Sequence, residues 1–259
     1  MAAKIIAVLN QKGGCAKTTT TIHLGVGLAR QGKRVLLVDA DPQASMTIAL
    51  GWKNPDSLRY TLTAALNPAN EGIDFSPYYL AHKEGVDLIP SNITLSSFEA
   101  SMVNMECREH ILREFLDGVN DCYDYILIDN LPSLGLLTIN TLTAADSIII
   151  PVQPEYLSAI GMTQLLQTFS RVKRKLNPAL EVEGILITMA DMRSLHARAA
   201  VEEITRGYGA QLRIFETIIP VSVKVREASA AGVSVFEHSQ KSKVALAYGK
   251  FVREVLGDG

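Results

Sequence analysis

Residues 5–19 read IIAVLNQKGGCAKTT, and the fold is decided in this stretch. Ile5 to Leu9 is a continuous apolar run of the kind expected of a strand covered on both faces. It passes through Asn10, Gln11, Lys12, Gly13, Gly14, Cys15 and Ala16 into a helix expected over Lys17 to Gln31. That helix has Ile22, Val26 and Ala29 at core spacing and Gly32 as its C-terminal cap. A strand, a loop of small residues and a helix N-terminus together make a cradle for phosphate. Backbone N–H groups converge there, and the helix dipole adds partial positive charge.

The ordinary phosphate loop, GxxxxGK[ST], is broken twice, by Gln11 and Ala16 at its two glycine positions. The segment fits KGGxxK[ST] instead, a variant with an extra lysine near its start. Lys17 is placed to reach β- and γ-phosphates, Thr18 to offer its hydroxyl oxygen to Mg²⁺, and Thr19 to hydrogen-bond the α-phosphate. Gly13, Gly14, Cys15 and Ala16 complete the candidate nucleotide-binding loop. Lys12 would repel Lys17 unless both face polyphosphate or one points at a ligand held by a partner subunit, which favours a nucleotide-sandwich dimer.

Working outward, further Ile- and Val-rich runs predict strands at Val35 to Val38, Val86 to Ile89, Tyr125 to Ile128, Ser147 to Pro151, Gly184 to Thr188 and Arg213 to Ile219. Segments of helical periodicity alternate with them. The implied architecture is α/β, a largely parallel twisted sheet with helices on both faces. A last helix is expected over Val244 to Leu256, with Val244, Ala247, Phe251 and Val255 on one stripe. Gly51 to Gly85, with Pro55, Pro68 and Pro77, is the least regular part, with a short helix near Leu58 to Leu66. No linker divides the chain, so residues 1–259 are expected to form one domain.

Two strands deliver carboxylates at the edge where open α/β sheets bind ligands: Val35 to Val38 leads into Asp39 and Asp41, and Tyr125 to Ile128 into Asp129. Asp129 reads as the carboxylate that holds Mg²⁺ through its water shell. Asp39 and Asp41 read as further metal-shell and water-positioning groups.

Composition narrows the class. The 259 residues are 47% hydrophobic and 20% charged, which excludes disorder as a global description. The three cysteines, Cys15, Cys107 and Cys122, include no CxxC pair, so a disulfide framework and a structural zinc site are both disfavoured and a reducing cytoplasm is the expected compartment. No run approaches the ~20 apolar residues of a membrane span, and no signal peptide precedes the first strand. The net charge of −2 hides an asymmetry: residues 171–259 carry 14 Lys+Arg against 10 Asp+Glu, so the excess of acid lies before them.

KGGCAKTTT, VDADPQ and ILIDNLPSLGLLTIN resemble the motifs of the ParA/Soj family of chromosome and plasmid partition ATPases, within the MinD/ParA deviant-Walker class. The resemblance extends through IIIPVQPEYLSAIGMTQLL, ILITMADMRS and IIPVSVKVREASAAG, nearly the whole chain. It implies ATP and Mg²⁺ as cofactors. Lys12 would be the signature lysine that crosses the dimer, Lys17 the P-loop lysine, Thr18 the metal ligand, Asp41 the carboxylate tied to hydrolysis and Asp129 the Walker B acid. Adenine would lie against Met189, Pro220 and Val221.

The same resemblance implies an ATP-bound dimer that binds DNA without sequence preference and a ParB-like partner that stimulates hydrolysis and release, in the cytoplasm at the nucleoid. Candidate DNA contacts are Arg193, Arg198, Lys224, Arg226, Lys241, Lys243 and Lys250; doubling this patch by dimerisation would steepen the dependence of binding on nucleotide. The first strand starts near Lys4, so no helix-turn-helix extension is expected. Departures from the family pattern are Ala16 for glycine, Asn130-Leu131 where the family commonly has Cys-Pro, and Val221-Ser222 for Arg-Asn. A methyl at position 16 is harmless only if its φ is negative. Alternatives on the same fold are a MinD-like membrane switch, a protein-cargo-positioning ATPase, an iron–sulfur carrier or reductase, and a non-enzymatic nucleotide-binding scaffold.

Overall fold

All seven expected strands form, and an eighth joins them. In chain order they are β1 (Lys4–Val8), β2 (Val35–Ala40), β3 (Leu80–Ala81), β4 (Val86–Ile89), β5 (Tyr125–Asn130), β6 (Ser147–Val152), β7 (Glu181–Ala190) and β8 (Ile214–Pro220). They are seen in a computed structural model that describes residues 2–70, 74, 79–155 and 158–257. Pro77, Tyr156, Leu157, Asp258 and Gly259, each part of a stretch read above, lie outside the described residues.

The helices are α1 (Lys17–Arg30), α2 (Ser45–Ala49), α3 (Leu62–Leu66), α4 (Thr94–Met102), α5 (Ile111–Asp117), α6 (Leu136–Ala144), α7 (Ser158–Lys175), α8 (Leu195–Tyr208), α9 (Val223–Ala231), α10 (Val235–His238) and α11 (Lys243–Leu256). The short helix expected near Leu58 to Leu66 is confined to α3, because Pro55–Ser57 makes a separate 3-10 turn before it.

The sheet runs β3-β4-β2-β5-β1-β6-β7-β8, and every pairing is parallel except β3 with β4. At two residues, β3 is too short to carry a periodic signal. Alternation along each strand sends side chains to opposite layers. Ile5, Ala7 and Leu9 join a core with α3 to α8, whereas Ile6 and Val8 face α1, α2 and α9 to α11. In α11 the buried stripe includes Tyr248 and Val252 as well as Val244, Phe251 and Val255, while Ala247 is only partly buried.

Helix α1 is held between the sheet and α11, and Gly27 permits the approach: a Cβ there would sit 2.3 Å from Val252 Cγ2. This packing points the N-terminus of α1 at the edge where β1, β5 and β2 end. Hydrogen bonding continues past the expected ends of β2 and β5, so Asp39 and Asp129 lie inside their strands. Asp129 is paired in register with Val8 on one side and Asp39 on the other.

Candidate functional site

The loop between β1 and α1 is built from its own polar groups. Asn10 Nδ2 donates to the Pro151 carbonyl at 2.7 Å, and Asn10 Oδ1 accepts from the Lys12 amide at 3.1 Å. The Lys12 carbonyl accepts from Cys15 Sγ at 3.2 Å and from Lys17 Nζ at 3.3 Å. Thr188 Oγ1, on β7, donates to the Cys15 carbonyl at 3.0 Å, which ties the loop to the sheet. Cys15 is fully buried, which pushes its thiol pKa up. Cys107 and Cys122 are exposed, and all three thiols are free.

No side chain caps α1 and no acidic residue stands in its first turn. Its leading N–H groups therefore face a cavity of about 580 Å³ with their hydrogen-bonding capacity unspent. Gly13, Gly14, Ala16, Lys17, Thr18, Thr19 and Asp41 line one end of this cavity. Met189, Pro220 and Val221 line it too, so the sequence-predicted loop and base positions share one space. The structure adds Ser45, Pro132, Val225 and Tyr248, none of which carries a local sequence signal for this role. Arg226, expected at a DNA surface, also lines this cavity.

Ala16 departs from what a side chain prefers. Its φ is +69°, in the left-handed region, and so is that of Met189 at +53° on the same cavity. Such strain collects at functional sites because the surrounding structure over-determines it. Ala16→Gly is therefore expected to raise the melting temperature of the nucleotide-free protein by about 2–4 °C, the equivalent of ~1 kcal/mol in a chain of this size. Most Ala→Gly changes beside a helix have the opposite sign, and a thermal melt distinguishes them.

The carboxylates divide sharply. Asp39 is fully buried and satisfied: its oxygens accept from the Thr47 amide at 2.8 Å, Thr47 Oγ1 at 2.7 Å and the Asp41 amide at 3.3 Å. Burial pushes its pKa up to about 6, against the pull of those donors. These contacts engage Asp39 in holding α2 against β2.

Asp129 is equally buried, yet among the described residues neither of its oxygens has a hydrogen-bond partner. Burial and then the Asp39 charge push its pKa well above the usual carboxylate range, although the Thr18 hydroxyl and the Lys17 ammonium lie near enough to oppose them. Asp41 borders the cavity, with Oδ1 accepting from the Gln43 amide at 2.9 Å.

An orphaned buried carboxylate beside Thr18 is what a hard divalent cation would complete, and the residues present fit Mg²⁺. No group of three or more His, Cys, Asp or Glu among the described residues forms a cage. A cation here would take its other ligands from phosphate and water, as Mg²⁺ does.

The remaining basic candidates are placed without converging. Lys12 Nζ is paired with Glu155 at 2.5 Å. Arg193 folds onto Asp191 through contacts of 2.9 and 3.1 Å, Arg198 donates to the Arg193 carbonyl at 3.4 Å, and Lys224 pairs with Glu227 at 2.8 Å. Lys243 and Lys250 border a groove between α11 and β8, and Lys241 precedes α11. Among the described residues no helix is long and apolar enough to cross a membrane.

Sheet order, loop and carboxylates together define a P-loop nucleotide-binding protein of the deviant Walker type. A family model described as an AAA domain matches residues 3–182. The sporulation initiation inhibitor protein Soj of Bacillus subtilis is 41% identical over 256 residues, covering 99% of both chains. The chromosome partitioning protein ParA of Caulobacter vibrioides is 37% identical, covering 98% of this chain and 94% of its own. Among solved structures, a protein from Mycobacterium smegmatis named cobyrinic acid a,c-diamide synthase, with bound ATP analog and magnesium, superposes with a TM-score of 0.85. It is 37% identical, over 98% of this chain and 94% of that one. The chain belongs to the ParA/Soj family of deviant-Walker ATPases.

Proposed function

We propose that this chain is a DNA partition ATPase, one ATPase domain over residues 1–259, that hydrolyses ATP with Mg²⁺ at a weak basal rate. The observation that carries the reading is Asp129, buried, unpartnered and set beside Thr18 and Lys17 at the mouth of an uncapped helix. Relatives named as chromosome-partitioning proteins over nearly the full chain support the biological role.

In this reading Gly13 to Ala16 and the first N–H groups of α1 surround the phosphates, Lys17 neutralises the β- and γ-phosphates, and Thr19 contacts the α-phosphate. Thr18 and Asp129 hold Mg²⁺, which supplies charge neutralisation on the phosphates. Asp41 orients the attacking water. Met189, Pro220 and Val221 receive the adenine. Lys12 exchanges Glu155 for the phosphates of a second copy, which makes the dimer depend on nucleotide.

The dimer then binds DNA without sequence preference through Arg193, Arg198, Lys224, Lys241, Lys243 and Lys250 of both copies. A ParB-like partner triggers hydrolysis and release, at the nucleoid in the cytoplasm. Since phosphate contacts act through the number of charges neutralised, the monomer should bind weakly and the dimer steeply better.

The test is retention on DNA with ATP against ADP. Retention with ATP only is expected, and Asp41→Ala is expected to slow turnover by roughly a hundredfold and prolong retention. Equal retention with both nucleotides, or none with either, overturns the reading.

A further inference from the structure

His23 sits in the second turn of α1 with only 2% of its surface exposed. Both ring nitrogens are used, by groups that impose opposite roles. Nδ1 lies 2.6 Å from the Thr19 carbonyl oxygen, which only accepts, so Nδ1 carries the proton. Nε2 lies 3.0 Å from the Val235 backbone nitrogen, which only donates, so Nε2 presents a lone pair. The neutral Nδ1–H tautomer satisfies both. Burial holds the imidazole pKa down at about 4, against the Thr19 carbonyl and the Glu84 charge, so the ring stays neutral at neutral pH.

The ring is clamped as well as bonded. It stacks on Tyr248 with centroids 4.5 Å apart and planes 16° apart, and meets the edge of Phe236 at 5.9 Å. Tyr248 lines the nucleotide cavity, and its hydroxyl lies 3.5 Å from Thr20 Oγ1. Thr19 lines the same cavity. On the far side, Val235 opens α10, whose cap Ser234 is tied to Glu84 through its amide at 2.7 Å. The chain then runs through Lys241 into α11. One side chain thus joins the phosphate loop to a segment 212 residues away in sequence.

We propose that His23 is a positioning residue that transmits occupancy of the nucleotide cavity to residues 235–243, through the Thr19 carbonyl on one nitrogen and the Val235 amide on the other. The inference rests on the reading of the cavity as the ATP site and goes beyond it by naming the route to the basic α10–α11 segment. A nucleotide that orders Thr18 and Thr19 holds the carbonyl to which His23 is bonded. A fixed imidazole keeps the Val235 amide from opening, because its Nε2 is the acceptor for that buried N–H. Coupling of this kind runs through a contiguous bonded and packed chain of groups.

Two replacements separate the arms. His23→Asn places a carboxamide near the Nδ1 position, able to donate to the Thr19 carbonyl but too short for Val235. His23→Gln reaches the Nε2 position and accepts from the Val235 amide. ADP affinity with Mg²⁺ is measured first, followed by hydrogen–deuterium exchange of residues 235–243 with and without saturating ADP.

Wild type is expected to exchange roughly tenfold more slowly when ADP is bound, and His23→Asn and His23→Gln, each keeping only one arm, to bind ADP while losing that slowing. Slowing undiminished in either variant overturns the inference, as does ADP binding by wild type without slowing. Wild type that binds no ADP overturns the reading of the cavity itself.

Nitrogen-15 spectra of the wild type make the same test without any variant. The His23 imidazole and Val235 amide signals should move together with the ADP binding curve; signals that stay still at saturating ADP overturn the link.

Discussion

Asp129→Asn is expected to stabilise the nucleotide-free protein while abolishing most of its activity. The carboxyl is fully buried, neither oxygen has a partner among the described residues, and Asp39 faces it across the β2–β5 ladder. A buried ionisable group in that position is costly unless paired. Asparagine has the same shape without the charge, so stability should rise by about 1–3 kcal/mol, or ~2–4 °C in melting temperature for each kcal/mol.

The gain has a defined pH dependence. Because burial and Asp39 raise the folded-state pKa, the wild-type penalty is present above that pKa and vanishes as pH falls and the carboxyl protonates. The advantage of the variant should therefore shrink in acid. Mg²⁺-dependent ATP turnover should fall by roughly 10²–10³-fold, since Asp129, with Thr18, is the group proposed to hold the cation. Thermal melts in chelator across pH, beside steady-state ATPase assays, check both halves. An unchanged or lowered apo melting temperature would mean the carboxyl is held by the protein after all.

Gly232→Ala should destabilise the fold strongly. Gly232 closes α9 with φ at +69°, and its N–H donates to the Ser229 carbonyl at 3.1 Å. A Cβ there would lie 2.8 Å from Gly51 Cα and 3.2 Å from Gly51 N, backbone atoms that have no rotamer to yield. Moving either chain would also disturb the bond between the Gly232 carbonyl and His82 Nε2, 3.1 Å long.

The left-handed strain and the overpacking together should cost about 2–4 kcal/mol. Gly32 is the control: its φ of +78° is similar, but nothing lies within 4 Å of its Cβ position. Gly32→Ala should lose only ~1 kcal/mol, the backbone term alone. Equal losses at both positions in urea or thermal melts would show that the Gly51 contact contributes nothing.

The sheet was legible because buried parallel strands are apolar runs, and Val86 to Ile89 was located to the residue. The two-residue β3 was invisible, since alternation needs length. The phosphate end of the site was legible for a related reason: Lys12 to Thr19 is contiguous, and strand, loop and helix are set by local spacing. The other end was legible only in part: Met189, Pro220 and Val221 were named through the family resemblance, but Val225 and Tyr248 reach it from α9 and α11 with no local signal. Tyr248 in particular belongs to a helical stripe whose residues look alike until the fold says which one meets the cavity. His23 was equally silent, its partner Val235 being fixed only when α10 packs on α1.

By itself the sequence determined the class of protein: a phosphate loop is a run of neighbours, and covalent geometry holds their order wherever the segment lies. What the tertiary structure alone decided was which strand-end carboxylate remains free. Asp39 and Asp129 are the same residue type, buried alike and in register, yet Thr47 bonds the first directly while the second, among the described residues, has only Thr18 and Lys17 nearby. Hydrogen bonding depends on neighbours in space, and so does the sign of φ at Ala16, set by the close fit of loop, helix and sheet.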